Sequence, residues 1–417
     1  MKQLYDVAVI GGGAAGFAAA IACAKKKNGI KIVILEKEVR VAKKLLATGN
    51  GRCNFTNTEN GSHHYHGKDG LFQAAANCRF DPVSNIAFFR SLGIMAKIEE
   101  TGKVYPLSLQ ASAVVDMLRA ESERLGIAVL TESIVEKVSS KEGTFTLITS
   151  TLPVCAKKVI VATGGMAAPE LGGSHRGYDL LTSLGHRLIP IAPSLVKIKT
   201  NNRIPNALKG IKVEGLLTLK KESTNEAVGM ETGEILFTDY GLSGPPVLQL
   251  SRFLCYENAE DFTLEIDFLP SFTKEDLLDL LNERRVILAS CSLEYYLTGL
   301  VQKKVGQLLL KEALHSKLSR EVNRLEDSEL EKICHALKGF PLPVVGTLGW
   351  KQSQVTAGGI DVGDFNDTTM ESRIVSGLYG AGEVLDIDGD CGGYNLQWAV
   401  SSGRLAGESA AEALAEA

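Results

Sequence analysis

"YDVAVIGGGAAGFAAAIACAKKKNGIKIVILEK", residues 5–37, sets three consecutive glycines between two apolar runs. Val7 to Ile10 is β-branched and suited to a strand buried on both faces, and Ala14 to Lys27 returns apolar residues at helical spacing. Asn28 and Gly29 offer the left-handed conformation that ends a helix, and Lys31 to Leu35 repeats the buried-strand pattern. The stretch predicts strand, helix and parallel strand. Gly11, Gly13 and Gly16 fit G-x-G-x-x-G where the first strand passes into the helix. In such a unit the first glycine permits a tight turn, the second lets backbone approach a pyrophosphate, and the third lets helix and strand pack closely. Ala14 and Ala15 open the helix, whose unpaired N–H groups and partial positive charge suit a diphosphate. Glu36, twenty residues after Gly16 and followed by Lys37, is placed to accept hydrogen bonds from a ribose hydroxyl. Strand, helix, second strand and terminal acid agree on a bound dinucleotide, FAD or NAD.

The rest of the chain sets bounds on that reading. Its 417 residues suffice for two or three domains, and 45 basic against 49 acidic residues leave a net charge of -4. The longest basic run, Lys25 to Lys27, reads as a solvated last helical turn, so neither nucleic acid nor an anionic membrane is expected as a partner. Asp6 and the glycine turn interrupt the first apolar segment before secretory length, and no apolar run of about twenty residues follows. Eight cysteines without a C-x-x-C pair suit reduced thiols, and a cytoplasmic location is expected.

Beyond Glu36, "VRVAKKLLATGNGRCNFTN" (39–57) reads in its second half as a loop returning over the nucleotide. Residues 82–92 and 110–125 predict amphipathic helices, 127–131, 133–138 and 144–149 short strands, and "KKVIVATGG" (157–165) a buried strand ending in glycine. Composition changes around Pro190 and Pro193, after which the text reads as strands with a hairpin turn at "ETGE", 231–234. Ser243 is the expected N-cap of a helix opening at the following prolines; 262–268 reads as a strand, and 273–287, 301–315 and 328–338 as helices.

Taken in order, "GGGAAG", "GNGRCNFTN" (49–57), "ATGG" (162–165), "FTDYGLSGPP" (237–246), "VTAGGI" (355–360) and "GLYGAGEVLDIDGDCGGYNLQWA" from 377 span nearly the whole chain. Together they resemble the bacterial NAD(P)/FAD-dependent oxidoreductases that include the BaiN-like bile-acid reductases and the aminoacetone oxidases. The resemblance implies an α/β fold: a discontinuous FAD-binding Rossmann domain of glutathione-reductase type, 1–190 and 346–417, with a β-barrel inserted over 191–345 that carries a helical subdomain at about 270–340. It implies noncovalent FAD, with Gly11, Gly13, Gly16 and Glu36 on the ADP half and Arg52 and Asn54 in a loop near the diphosphate or flavin. Thr163 and Gly164 would pack near the cofactor, Gly382 and Glu383 would meet the ribitol or diphosphate, and Gly393, Tyr394, Asn395 and Leu396 would approach the flavin pyrimidine edge. If a terminal helix starts there, its free N–H groups face flavin N1 and O2, where negative charge gathers on reduction. The chain departs from the family where Asn50 replaces a glycine, where Gly173 to Gly177 lack an acid, and where Lys103 and Leu109 stand for Arg and Asp.

Other constellations are weighed against plain explanations. Asp386, Asp388 and Asp390 alternate as in a calcium loop, but Cys391 at the sixth position and Gln397 at the twelfth argue against calcium. A polar loop beside the flavin explains them, with Asp388 a candidate for proton transfer. "SHHYH" (62–66) lacks a cysteine or carboxylate at a recognised metal spacing and reads as an exposed loop, so no metal is expected. His175 and His186 read as ordinary loop or helix-end residues, and Cys53 and Cys391, which could lie near the flavin, are not expected to form a dithiol relay. Tyr240 is the leading side chain for substrate contact or proton donation; a tyrosine filling the seam between domains is the alternative, and Asp239 shares it.

Only one complete dinucleotide fingerprint is present, so any NAD(P)H docks transiently as an electron donor. The function expected is hydride transfer between flavin N5 and a small organic substrate held between the two domains, in the manner of an NAD(P)H-dependent enone reductase. An amine oxidase of aminoacetone-oxidase type, an RNA-modifying flavoprotein and a protein with purely structural FAD are the alternatives. No stable protein partner is implied.

Overall fold

A computed structural model describes residues 4–201 and 203–414. Leu4–Ile10 forms strand β1, Ala14–Lys26 helix α1 and Ile32–Leu35 strand β2, the two strands parallel. All four residues of β2 and the last four of β1 are buried, as strands covered on both faces require. Ala128–Leu130 extends the sheet beyond β2, and Val154–Val161, strand β3, pairs with the other side of β1. Leu378–Gly380 then adds to β3, again parallel. The amino-terminal half of β3 carries instead an antiparallel hairpin, Val135–Lys141 and Thr144–Thr149.

The register has a direct consequence. Ile10 lies opposite both Leu35 and Val161, and Val161 opposite Gly380, so four parallel strands end at one level. That edge is where open α/β sheets bind ligands.

The chain closes this unit with α2, Tyr394–Ala413, which lies on α1. Contact is close because Gly403 and Gly407, one helical turn apart, face backbone: a Cβ on them would stand 2.4 Å from Ala15 O and 2.1 Å from Ala19 O. α1 answers with alanines, and every residue from Ala15 to Ala24 is buried. Helix Ala111–Arg124 is tied to α1 by Glu121, which accepts from Arg124 Nε at 2.6 Å and pairs with Lys25 at 2.9 Å.

The Arg124 hydrogen bonds outweigh burial and, with Lys25, hold the Glu121 carboxyl at about 2, below its ordinary 4.5. A carboxyl lowered in the fold stabilises it above the unfolded value, and that stability is lost as pH falls from about 4.5 to about 2. Because the Arg124 side chain is 65% exposed, solvent screening leaves only a small part of this effect as stability. Glu121→Gln is expected to lower stability slightly at pH 7, the deficit shrinking toward pH 2.5; a urea titration series in which it stays constant would contradict the assignment.

The contacts divide the molecule into two units, one running up to Ser194 and resuming at Trp350, the other comprising Leu195–Gly349. The second is a closed six-stranded barrel whose strands neighbour in the order Ile198–Thr200, Gly241–Ser243, Glu226–Phe237, Lys212–Lys221, Phe262–Asp267 and Phe340–Thr347. Helices Lys274–Ile287, Lys303–Leu314 and Asp327–Lys338 are carried between its last two strands. Two expectations fail here. Residues 231–234 lie inside a long strand, and the chain reverses at 222–225, where Asn225 takes φ +55°. Ser243 ends a strand, and Gly244, with no side chain to offer, precedes the helix Pro245–Leu250. The 39–57 segment is more regular than expected, with a short helix at Lys43–Ala47 and a strand at Thr56–Asn57. Among the described residues no helix is long and apolar enough to cross a membrane.

Candidate active site

Each of the four parallel strands hands the chain to a segment singled out from sequence. β1 leads into Gly11–Gly13, β2 into Glu36 and Lys37, β3 into Thr163 and Gly164, and Leu378–Gly380 into Gly382 and Glu383. The glycines of the fingerprint divide by role. Gly11, at φ +107°, would place a Cβ 2.4 Å from Ala162 O, and Gly16 would place one 1.9 Å from Gly11 O. Gly13 has ordinary φ of -89° and meets nothing within 4 Å, so its missing side chain leaves open space at the start of α1. Gly164 is open in the same way. The first N–H groups of α1 have no acceptor within the helix, and its first turn holds no acid, which leaves an anion-binding end.

Glu36 is 8% exposed, and its carboxylate spans the turn: Oε2 accepts from Gly12 N at 2.7 Å and Oε1 from Glu38 N at 2.8 Å. Each oxygen retains a further lone pair for a hydroxyl. Burial lowers the pKa of the neighbouring Lys37, against the opposing Glu38.

The loop after Lys43–Ala47 is wound from left-handed residues, Gly49, Asn50, Gly51 and Cys53. Asn50 takes φ 54° and ψ 44°, a conformation asparagine tolerates better than other side-chain-bearing residues. Arg52 donates to Gly49 O and lies 4.6 Å over the Tyr105 ring, while Asn54 Oδ1 accepts from Val104 N at 3.1 Å. The loop crosses the start of α2, because a Cβ on Gly393 would stand 2.5 Å from Thr56 O and 3.0 Å from Asn54 Oδ1. Asn395 locks the preceding turn by accepting from Gly389 N at 2.8 Å and donating to Gly389 O at 2.7 Å. Ala14, Cys53 and Leu396 line one small apolar cavity, so the starts of both helices and the loop converge.

Gly382, at φ +74°, packs on Ala15, and its N–H donates to Ser402 Oγ at 2.9 Å. Glu383 is gripped between Lys44 Nζ at 2.7 Å and Thr356 N at 2.9 Å. Gly177 leaves room for Thr163, whose Oγ1 would otherwise stand 1.9 Å from an added Cβ.

The expected catalytic side chains are not brought together in one unit. Asp388 is buried in a two-residue strand paired with Tyr65–His66. Tyr240 belongs to the barrel unit, half-buried, with Lys197 Nζ 6.0 Å from its ring, and Asp239 is exposed and bonded to Lys209 at 2.6 Å. The alternating aspartates do not converge on a cation: Asp386 accepts from Lys68 N and Asp390 meets His64 and His66. His64 and His66 are therefore half-buried against carboxylates where an exposed loop is expected, and Glu59 of the same loop also meets His64. His186 is buried with both ring nitrogens engaged, by Leu181 O and Ser372 Oγ. Burial pushes the Cys53 thiol up to about 12, out of thiolate chemistry at neutral pH. A buried network of Thr56, Asn85, Gln397 and Ser401, joined to Arg404, also escaped the sequence reading; it seats α2 on the Phe80 carbonyl.

Comparison with known proteins agrees with this geometry. The model of the HI0933-like protein Rossmann domain matches residues 5–409. A 3-dehydro-bile acid delta(4,6)-reductase of Clostridium scindens is 36% identical over 409 residues, covering 97% of this chain and 99% of that protein. A ribosomal RNA dihydrouridine synthase of Escherichia coli is 32% identical over 404 residues, 96% of each chain. Among solved structures, a 3-ketosteroid-delta4-(5alpha)-dehydrogenase of Rhodococcus jostii superposes with a TM-score of 0.50 at 16% identity, over 98% of this chain and 97% of that one. The FrdA chain of Escherichia coli quinol fumarate reductase does so at 0.51 and 17%, over 100% and 71%. These two likenesses show the fold. With the family model covering nearly the whole chain and the strand ends arranged as above, the chain belongs to the HI0933-like Rossmann family and is a flavin-dependent oxidoreductase.

Proposed function

We propose that the enzyme holds FAD across the four strand ends and reduces a carbon–carbon double bond conjugated to a carbonyl in a small organic substrate, with NAD(P)H as the transient electron source. The observation that carries this reading is full-length similarity to two relatives whose names describe one kind of reduction. A delta(4,6)-reductase acting on a 3-oxo steroid saturates bonds conjugated to that ketone, and a dihydrouridine synthase saturates the uracil bond conjugated to a ring carbonyl.

Bound FAD supplies two-electron hydride chemistry. The chain's residues supply placement. The open position at Gly13 and the first N–H groups of α1, at Ala14, Ala15 and Gly16, would hold the diphosphate, and Glu36 would take the ribose hydroxyls with Lys37 beside it. Arg52, Asn54, Thr163 and Gly164 would border the cofactor, as would Gly382 with Glu383 fixed by Lys44. The N-terminus of α2, at Gly393 to Leu396, would offset negative charge on the reduced ring. Tyr240 and Asp388 are this reading's candidates for proton donation. The net charge of -4 favours a small substrate over RNA.

The test is anaerobic. NADH or NADPH is expected to bleach the flavin, and a conjugated enone, but not its saturated analogue, to restore its colour. Reoxidation by uridine-containing ribosomal RNA alone would move the assignment to RNA. Reduction by aminoacetone with return of electrons to oxygen would replace it with an amine oxidase.

A further inference from the structure

We propose that Glu59, His63 and His64 form a binding site for a divalent transition-metal cation of the zinc type, with Asp390 as the residue that orients His64. The three side chains stand on one loop and offer ligand atoms that lie within 4.8 Å of one another. His63 and His64 fall in a short 3-10 turn, Ser62–His64, which places their rings 4.1 Å apart. His63 Nε2 is 4.0 Å from Glu59 Oε1, and His64 Nε2 faces Glu59 Oε2 directly.

The convergence of three donor atoms, with Asp390 behind one of them, carries the argument. Its Nδ1 lies 2.8 Å from Asp390 Oδ2, and its Nε2 faces the Glu59 carboxylate. Ionised carboxylates only accept, whereas a neutral imidazole has a single N–H. With its Nδ1 proton donated to Asp390, His64 turns the Nε2 lone pair toward the Glu59 carboxylate, so both present donor atoms to one place. His63 Nε2 converges on the same place, and a metal cation would take all three donors. Two imidazoles and one carboxylate form a zinc-type donor set that leaves a fourth position open. A carboxylate behind the ligating histidine is the usual outer support of such sites. The supports here are themselves fixed: His66 Nε2 holds the other Asp390 oxygen at 2.6 Å, Asp390 N donates to His64 O at 2.9 Å, and Tyr394 stacks 4.0 Å from the His64 ring while donating to Glu59 at 3.3 Å. Imidazole donors select against calcium and magnesium.

Full-length, flavin-loaded protein is stripped with chelator, titrated with Zn²⁺ at pH 7.5 by calorimetry, and its retained metal counted after desalting. One equivalent is expected to bind in the micromolar range or tighter. His63→Ala and Glu59→Gln are each expected to weaken binding at least tenfold, and Asp390→Asn about 10- to 100-fold by loss of the orienting carboxylate. The His63 side chain is 70% exposed, so its removal leaves the fold intact. Wild-type protein retaining well under one equivalent, or His63→Ala and Glu59→Gln binding as tightly as wild type, would overturn the site.

Discussion

A Gly13→Val variant is expected to fold and yet to be purified colourless, with affinity for added FAD reduced at least 100-fold. The expectation follows from the unequal surroundings of the fingerprint glycines. At Gly13 the backbone is in the extended region and an added Cβ touches no protein atom within 4 Å, so the fold has no reason to reject a side chain. The emptied volume lies at the amino terminus of α1, where the unpaired N–H groups would meet the diphosphate. Filling it with two methyl groups separates anion and donors, and a hundredfold loss corresponds to about 2.7 kcal/mol. Thermal midpoints must be compared on flavin-free protein, because bound ligand stabilises by mass action. A Gly13→Val protein that is yellow at full stoichiometry would remove the diphosphate from this end of the helix, and with it the proposed cofactor pose.

The β1–α1–β2 unit was legible in the sequence because its signals are local: a β-branched run, a glycine turn, an alanine-rich helix closing near Gly29, and an acid at the second strand's end. The barrel was read less well for a physical reason. Gly233 looks like a turn residue, but it sits mid-strand opposite Gly215 in a long hairpin, and its missing side chain accommodates Pro246. The true reversal uses the polar run ending at Asn225, whose left-handed backbone is the better turn signal.

The candidate site shows the same division. Its backbone segments could be found because each follows a strand and carries glycine, but their side-chain partners could not. Lys44 meets Glu383 across 339 residues and His64 meets Asp390 across 326, and no local pattern encodes either meeting. The spacing within the histidine cluster does not reveal the carboxylates of Glu59 and Asp390 that meet His64.

Gly407→Ala is expected to destabilise the protein by about 2 kcal/mol, and the sign is more telling than the size. In an exposed helix interior this substitution stabilises by about 1 kcal/mol, since alanine is the better helix former. Here the new Cβ would come within 2.1 Å of Ala19 O, a backbone atom of a helix buried on all sides, so the helices must part. Overpacking of that kind costs about 3 kcal/mol and outweighs the propensity gain. Gly403→Ala makes the equivalent contact with Ala15 O, in the first turn of α1, and so is expected to loosen FAD as well as the fold; Gly407, a turn further on, should spare flavin affinity. Urea unfolding followed by tryptophan fluorescence reads the effect, since Trp398 is buried within α2. A midpoint that rises in Gly407→Ala would mean that the two helices do not meet through these glycines, and the packing that sets the anion-binding end of α1 against the start of α2 would have to be abandoned.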